Sequence, residues 1–283
     1  MGFHSKPTTY VSHVRLNVEN LERSLTYYQE IIGFDILEQT DTTAELTADG
    51  KTSLLSLVQP EGVKPKQPRT TGIYHFALLL PEKKDLAQFV MHLSEKNIQV
   101  GAGDHLVSEA LYIKDPDGND IEIYIDRDPG VWDWKDGEVA MTTDPVNFEE
   151  LMKHQVEGES WQGLPEGTLM GHIHLYVDEL EKTEQFYVEG LGFDVVNRFG
   201  GQALFLSDAD YHHHVAVNTW QGVGASRPAE NSAGMESYRI VYNDEKAVQT
   251  TVTNLEKIGA KVTEEDDRIL TEDPAGNRIE LTY

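Results

Sequence analysis

One stretch of this chain is written twice, and that repetition restricts the fold more than any other feature. The segment SHVRLNVENLERSLTYYQEIIGFDI, opening at Ser12, returns as GHIHLYVDELEKTEQFYVEGLGFDV, opening at Gly171. Val18, Leu21, Glu22, Tyr28, Glu30, Gly33, Phe34 and Asp35 each meet an identical residue 159 positions on, and His13 falls on His172 by the same offset. A second feature also recurs. DPDGNDIEIY, from Asp115 to Tyr124, is answered by DPAGNRIELT, from Asp273 to Thr282, and in each a Gly is followed four residues later by a Glu, giving Glu122 and Glu280. Self-similarity of this kind means one supersecondary unit used more than once.

Periodicity defines the unit. HVRLNV alternates as a strand, LERSLTYYQEII carries apolar residues at helical spacing, and Gly33 stands just past its end as a C-cap. YHFALLL before KKDLAQFVMHLSEKN, HIHLYV before LEKTEQFYVEG, and YRIVY before EKAVQTTVTNLEKIG keep the order of strand then helix, with short strands after each. The fold class read from this is α+β: four βαβββ modules spanning roughly 10–60, 72–126, 170–220 and 236–283. On this reading 1–126 is an N-terminal two-module domain, 127–169 a linker and 170–283 a C-terminal two-module domain. The linker is rich in acidic, Gly and Pro residues, holds three of the four Trp, and is expected to carry one short helix near Phe148 to His154.

Composition narrows the chemistry. The chain has no cysteine, so there is no disulfide framework and no thiolate site, and any metal must be held by His, Asp or Glu. A net charge of −26 disfavours nucleic acid and anionic membranes, whose phosphates would be repelled rather than neutralised. The N-terminal MGFHSKPTTYVSH lacks the apolar run of a signal peptide and no later run approaches a membrane span, so a cytoplasmic location is expected.

The segment GDHLVSEALYIKDPDGNDIE, Gly103 to Glu122, carries the most specific signal. It is similar to the ring-cleavage signature of extradiol dioxygenases at Gly103, His105, Leu111, Tyr112, Asp115, Pro116, Gly118 and Glu122. A blander reading makes DPDG a hairpin turn and Tyr112 a core aromatic. Module four tests that reading internally, because it keeps the turn and Glu280 but has Leu270 where Tyr112 stood and no His. The turn alone therefore does not require His105 and Tyr112. With its four modules, nearly the whole chain resembles the vicinal oxygen chelate superfamily, which includes glyoxalases, bleomycin-resistance proteins and extradiol dioxygenases. The resemblance implies that modules pair into two open mixed-sheet barrels, each barrel enclosing one metal or ligand site.

It also implies a site and a cofactor. Extradiol enzymes hold Fe(II) with two His and one carboxylate, leaving adjacent positions open for a catechol and O2, and Mn(II) suits the same donors. The ligands in that family are a His on the first strand of one module, a His on the first strand of its partner, and a Glu on the partner's last strand. His75 in GIYHFALLL and Glu122 match the second and third roles. For the first, His13 and His172 stand at equivalent repeat positions. Pairing of consecutive modules would choose His13. Yet the family also uses a distal His that moves protons, and only module three supplies one, in YHHHVAVN, where His213 aligns best. Module one has KTSLLSLVQ at that place, and module four has Ser237 where His75 would be needed. Modules two and three together hold the full set, so the expected barrel joins them, within one chain or across a dimer. The ligands are then His75, Glu122 and His172, and the catalytic residues His213, Tyr112 and His105, with His13 and Glu280 as relics of an unequipped site.

Other histidines carry less. If the triplet lies on a strand, His212 and His214 face one way and His213 the other. His174 shares a face with His172 and either orients it or is simply exposed. His4, His92 and His154 receive no role. The expected partners are a small aromatic substrate of the catechol type and O2, with a homo-oligomer anticipated from exposed sheet edges. Two rivals share the fold, a glyoxalase-type metalloisomerase and a drug-binding protein of the bleomycin-resistance type. The first has no use for the His105 and Tyr112 loop, and the second lacks metal ligands.

Overall fold

The computed structural model describes residues 2–283. Module one comprises β1 (Tyr10–Asn17), α1 (Leu21–Tyr27), β2 (Asp35–Gln39), β3 (Thr43–Thr47) and β4 (Ser53–Val58). Module two follows as β5 (Gly72–Leu79), α2 (Lys83–Glu95), β6 (Gly101–Asp104), β7 (Ser108–Lys114) and β8 (Asp120–Asp126). The linker holds a small hairpin, β9 (Trp134–Lys135) with β10 (Glu138–Val139), and the short helix α3 (Phe148–Met152). Module three is β11 (Leu169–Tyr176), α4 (Leu180–Gln185), β12 (Asp194–Phe199), β13 (Ala203–Ser207) and β14 (Val215–Asn218). Module four is β15 (Gly234–Val241), α5 (Glu245–Lys257), β16 (Val262–Glu265), β17 (Arg268–Glu272) and β18 (Arg278–Thr282). The α+β class and all four βαβββ modules are therefore present.

The repeated residues have repeated work. Asn20 caps α1 by accepting from the Arg23 amide, the helix widens into a π turn over Tyr28–Ile32, and Gly33 ends it at φ 96°. The copy in module three has the same plan: α4 opens on Glu179, widens over Phe186–Gly190, and is followed by Gly192 at φ 86°. Each π turn carries a fully buried tyrosine aimed at the next module. Tyr28 donates to Asp115 Oδ2 at 2.9 Å in the DPDG turn, and Tyr187 donates to Asp273 Oδ2 at 3.2 Å in the DPAG turn. Those aspartates also accept from the backbone amides of Asn119 and Asn277, both at 2.8 Å, which pins the turns.

Within a module the helix crossover returns the chain so that its last strand lies parallel to its first, giving β1 beside β4 and β5 beside β8. The first strand keeps one open edge, a liability unless paired. Edges close across the sequence halves: β1 pairs antiparallel with β15, and β11 with β5. Two eight-stranded mixed sheets result, ordered β16-β17-β18-β15-β1-β4-β3-β2 and β12-β13-β14-β11-β5-β8-β7-β6. Modules one and four thus share one sheet, and modules two and three the other. Each of the segments 1–126 and 170–283 supplies one module to each sheet, while the tyrosine-to-turn bonds tie one to two and three to four. One apolar cluster, including Val14, Phe76, Ile121, Ile173, Ile240 and Ile279, runs under both sheets.

Candidate metal centre

Three adjacent strands build the centre. On β11, His172 lies opposite Ala77 of β5, and on β8, Glu122 lies opposite Ala77 from the other side. His75, two residues before Ala77, shares its face. A methyl group at Ala77 therefore separates a His, a Glu and a second His that all project to one side of the sheet. Their donor atoms lie within 4.8 Å of one another. Glu122 Oε2 is 3.1 Å from His75 Nε2 and 3.3 Å from His172 Nε2.

These groups are buried, each less than 5% exposed, and poorly satisfied. Both ring nitrogens of His75, and Nδ1 of His172, have no hydrogen-bond partner. Buried polar atoms left unpaired are costly, so three orphaned imidazole nitrogens around one carboxylate fit a cation better than a protein contact. Burial pushes the His172 imidazole down to about 4, against the pull of the nearby Glu122 carboxylate. Burial would raise Glu122, but the facing His172 and His75 hold it well below the usual carboxylate range. A bare carboxylate beside a neutral His172 at pH 7 is the protonation that metal binding requires. Two nitrogens and one carboxylate oxygen suit Fe(II) or Mn(II), and the absence of sulfur argues against softer ions.

Beside the triad is a cavity of about 330 Å3 lined by His75, Glu122, Tyr112, His105 and His213, among others. Tyr112 lies opposite Glu122 in the β7–β8 ladder. Burial, then the Glu122 charge, raises its phenol well above 10, so it carries its proton at neutral pH. That hydroxyl donates to His105 Nε2 at 2.7 Å, and His105 Nδ1 donates to the Thr142 carbonyl at 2.7 Å. A carbonyl can only accept, so the linker backbone fixes the tautomer of His105 and leaves its Nε2 to hold Tyr112. Gly103 makes room for this, since a Cβ there would stand 2.9 Å from His105 Cε1.

The remaining cavity wall is mainly apolar and aromatic, with Tyr74, Phe205, Trp220, Met141 and Val107, beside the polar Ser108, His174 and Asn197, and no lysine or arginine lines it among the described residues. His213 sits with its ring 4.0 Å from that of His172. The His triplet does not alternate as on a strand, because β14 begins only at Val215 and residues 212–214 lie in the turn before it. Freed from the pleat, His212 and His213 face each other, their Nδ1 atoms 2.8 Å apart. His174 is buried, not exposed, and does not bond His172; its Nε2 accepts from Asn218 at 2.9 Å.

His13 and Glu280 lie in the other sheet, where the same plan is filled differently. Arg239 takes the place of Ala77 opposite His13 and Glu280. Its guanidinium reaches Glu280 at 3.1 and 3.3 Å. His13 Nε2 donates to Ser56 Oγ at 2.8 Å, and Ser237 stands where His75 would be. A fixed cationic side chain there answers the carboxylate internally.

Several site residues escape a reading by pattern. Asp126 meets His212 of the triplet at 2.8 Å, and the Tyr211 hydroxyl donates to Asp126 at 2.9 Å, both from outside the signature. Met141, Thr142 and Thr143 of the linker line the cavity. His4 donates to the Gly171 carbonyl at 2.8 Å, and His214 donates to the Phe3 carbonyl at 2.9 Å, so the first residues brace the centre from behind. Only Asp126 had a signal available, since it shares a strand face with Glu122 four residues earlier.

Comparison with known proteins fits this geometry. Residues 10–123 and 169–281 match the profile of the Glyoxalase/Bleomycin resistance protein/Dioxygenase superfamily. The chain is 40% identical over 269 residues to the catechol-2,3-dioxygenase of Bacillus subtilis (strain 168), covering 94% of each protein. It is 29% identical over 123 residues to biphenyl-2,3-diol 1,2-dioxygenase 3 of Rhodococcus globerulus, a match to 42% of this chain and 65% of that one. Its fold superposes on glyoxalase I from Zea mays with a TM-score of 0.59 at 18% identity, over 96% of this chain and 92% of the other. The chain belongs to the glyoxalase/bleomycin resistance protein/dioxygenase superfamily.

Proposed function

We propose that the protein is an extradiol dioxygenase that opens the ring of a catechol-type substrate with O2, using Fe(II) held by His75, Glu122 and His172. The observation that carries this reading is the convergence of two buried, incompletely satisfied imidazoles and one carboxylate beside a cavity that also presents the His105–Tyr112 pair and His213. Similarity over 94% of the length to a catechol-2,3-dioxygenase supports it. Fe(II), when bound, supplies Lewis acidity and the chemistry with O2.

The chain's own residues do the rest. Tyr74, Phe205 and Trp220 exclude water and clasp a flat ring, and with no cationic wall residue the ring substituents are uncharged. His213 handles a proton at the substrate hydroxyl, a role that typically carries about 10²- to 10⁴-fold in rate. Tyr112, kept protonated by burial and held by His105, donates to developing charge on oxygen.

The test is anaerobic reconstitution with Fe(II) or Mn(II), followed by catechol and air. A yellow ring-opened product with matching O2 uptake in the Fe(II) protein is expected. No uptake with catechol or any alkyl or aryl catechol, despite bound metal, overturns the reading.

A further inference from the structure

One buried chain of polar groups beside this site remains without a role. Asp126 ends β8, and its two carboxylate oxygens are both engaged. Oδ1 lies 2.8 Å from His212 Nε2, and Oδ2 accepts from the Tyr211 hydroxyl at 2.9 Å. Tyr211 in turn shares a 2.7 Å bond with the Tyr124 hydroxyl, which holds it in place. On the far side of its ring, His212 Nδ1 lies 2.8 Å from His213 Nδ1. The His212 side chain is wholly buried.

The order of donors follows from what each group can do. An ionised carboxylate only accepts, so the proton between Asp126 and His212 sits on His212 Nε2. The arrangement drawn from this contact has His212 neutral, with its single proton on Nε2 and its Nδ1 accepting. The proton between the two rings therefore belongs to His213 Nδ1. The opposite nitrogen of His213, Nε2, is left with a bare lone pair, and nothing among the described residues hydrogen-bonds it. The His213 ring lines the cavity that adjoins the metal ligands.

We propose that Asp126 is a positioning residue which, acting through His212, fixes the tautomer of His213 so that its Nε2 meets the substrate as a proton acceptor. This inference rests on the ring-cleavage reading for its consequence, but the tautomer itself is a property of the chain. The logic is that of a base oriented by a third group, built here with two imidazoles in series. The partners come from different modules: Asp126 from module two, His212 and His213 from module three. The device therefore exists only because those two modules share a sheet.

Asp126→Asn separates position from charge. The amide is isosteric, and the Tyr211 hydroxyl claims its oxygen, which turns its NH2 toward His212 Nε2. His212 must then accept there and donate from Nδ1, which moves the His213 proton to Nε2. In 15N spectra of the zinc-substituted protein the protonated nitrogen of His213 should switch from Nδ1 in the wild type to Nε2 in the variant. In the iron protein kcat should fall by about a hundredfold or more with KM and iron content unchanged, and Asp126→Glu should restore much of the loss. A variant that keeps the wild-type tautomer, or keeps kcat within about threefold of wild type, overturns the proposal. If the wild type cleaves no catechol, the ring-cleavage reading fails, and the spectra alone still decide whether Asp126 sets the tautomer.

Discussion

Gly171 precedes His172 and has no space for a side chain. A Cβ placed on it would stand 2.0 Å from the Tyr124 hydroxyl oxygen and 2.6 and 2.7 Å from two ring carbons. Tyr124 cannot retreat, because it is fully buried and bonded to Tyr211 at 2.7 Å. In Gly171→Ala a rigid ring must therefore move by more than an ångström. Overpacking of this kind costs about 1–3 kcal/mol. Loss of the Tyr124–Tyr211 bond adds about 1 kcal/mol. For a chain of this size each kcal/mol lowers the melting midpoint by about 2–3 °C, so a fall of about 5–10 °C is expected. The Tyr124 ring is also 4.9 Å from that of His172, so metal affinity should fall with stability. Thermal unfolding by circular dichroism and a metal titration measure both. The repeat supplies a rescue, since Ser12 and Thr282 occupy these two places in modules one and four. Gly171→Ser combined with Tyr124→Thr should regain part of the stability lost in Gly171→Ser alone. A Gly171→Ala protein that melts within about 1 °C of wild type, with unchanged metal affinity, would refute the steric argument.

Two further outcomes are expected. Burial lifts the Asp273 carboxyl from 3.8 to about 6, so the native state binds its proton more tightly than the unfolded chain does. That biases against the charged form by about 3 kcal/mol, a cost fully present above pH 6 and relieved as pH falls toward 3.8. Wild type should therefore gain in melting temperature relative to Asp273→Asn as pH is lowered from about 7 to about 5, and parallel curves would contradict this. The cavity wall lacks lysine and arginine, so carboxylated catechols such as 3,4-dihydroxybenzoate should be turned over far more slowly than catechol or its alkyl derivatives. Comparable kcat/KM values for the two classes would show that the wall does not select.

Much of this architecture can be read from the chain because the repeat reports it directly. Gly33 and Gly192 mark the same helix end, and the DPDG and DPAG turns mark the same hairpin, so the four modules follow from matching residues alone. The pairing of modules two with three is also legible, through Ser237 and Leu270 where a working copy of the site would need His and Tyr. What escapes is whatever depends on long-range placement. The alternation expected for His212 to His214 fails because those residues precede the ladder that would impose it. The linker offers no periodicity, yet Thr142 fixes His105, and Trp132 packs with Tyr211 and Phe3 behind the His triplet. Arg239 opposite His13 is visible in sequence only as a charged residue in a strand, and its meaning appears once Ala77 is seen in the equivalent position.

The proposed chemistry requires one metal position, in the sheet shared by modules two and three. Anaerobic titration with Fe(II) or Mn(II), read as metal retained per chain, tests it directly in the wild type, His172→Ala and His13→Ala proteins. One equivalent in the wild type, none in His172→Ala and an undiminished equivalent in His13→Ala is the expected result. Metal lost with His13 instead, or no metal held by the wild type, would contradict the placement of the centre.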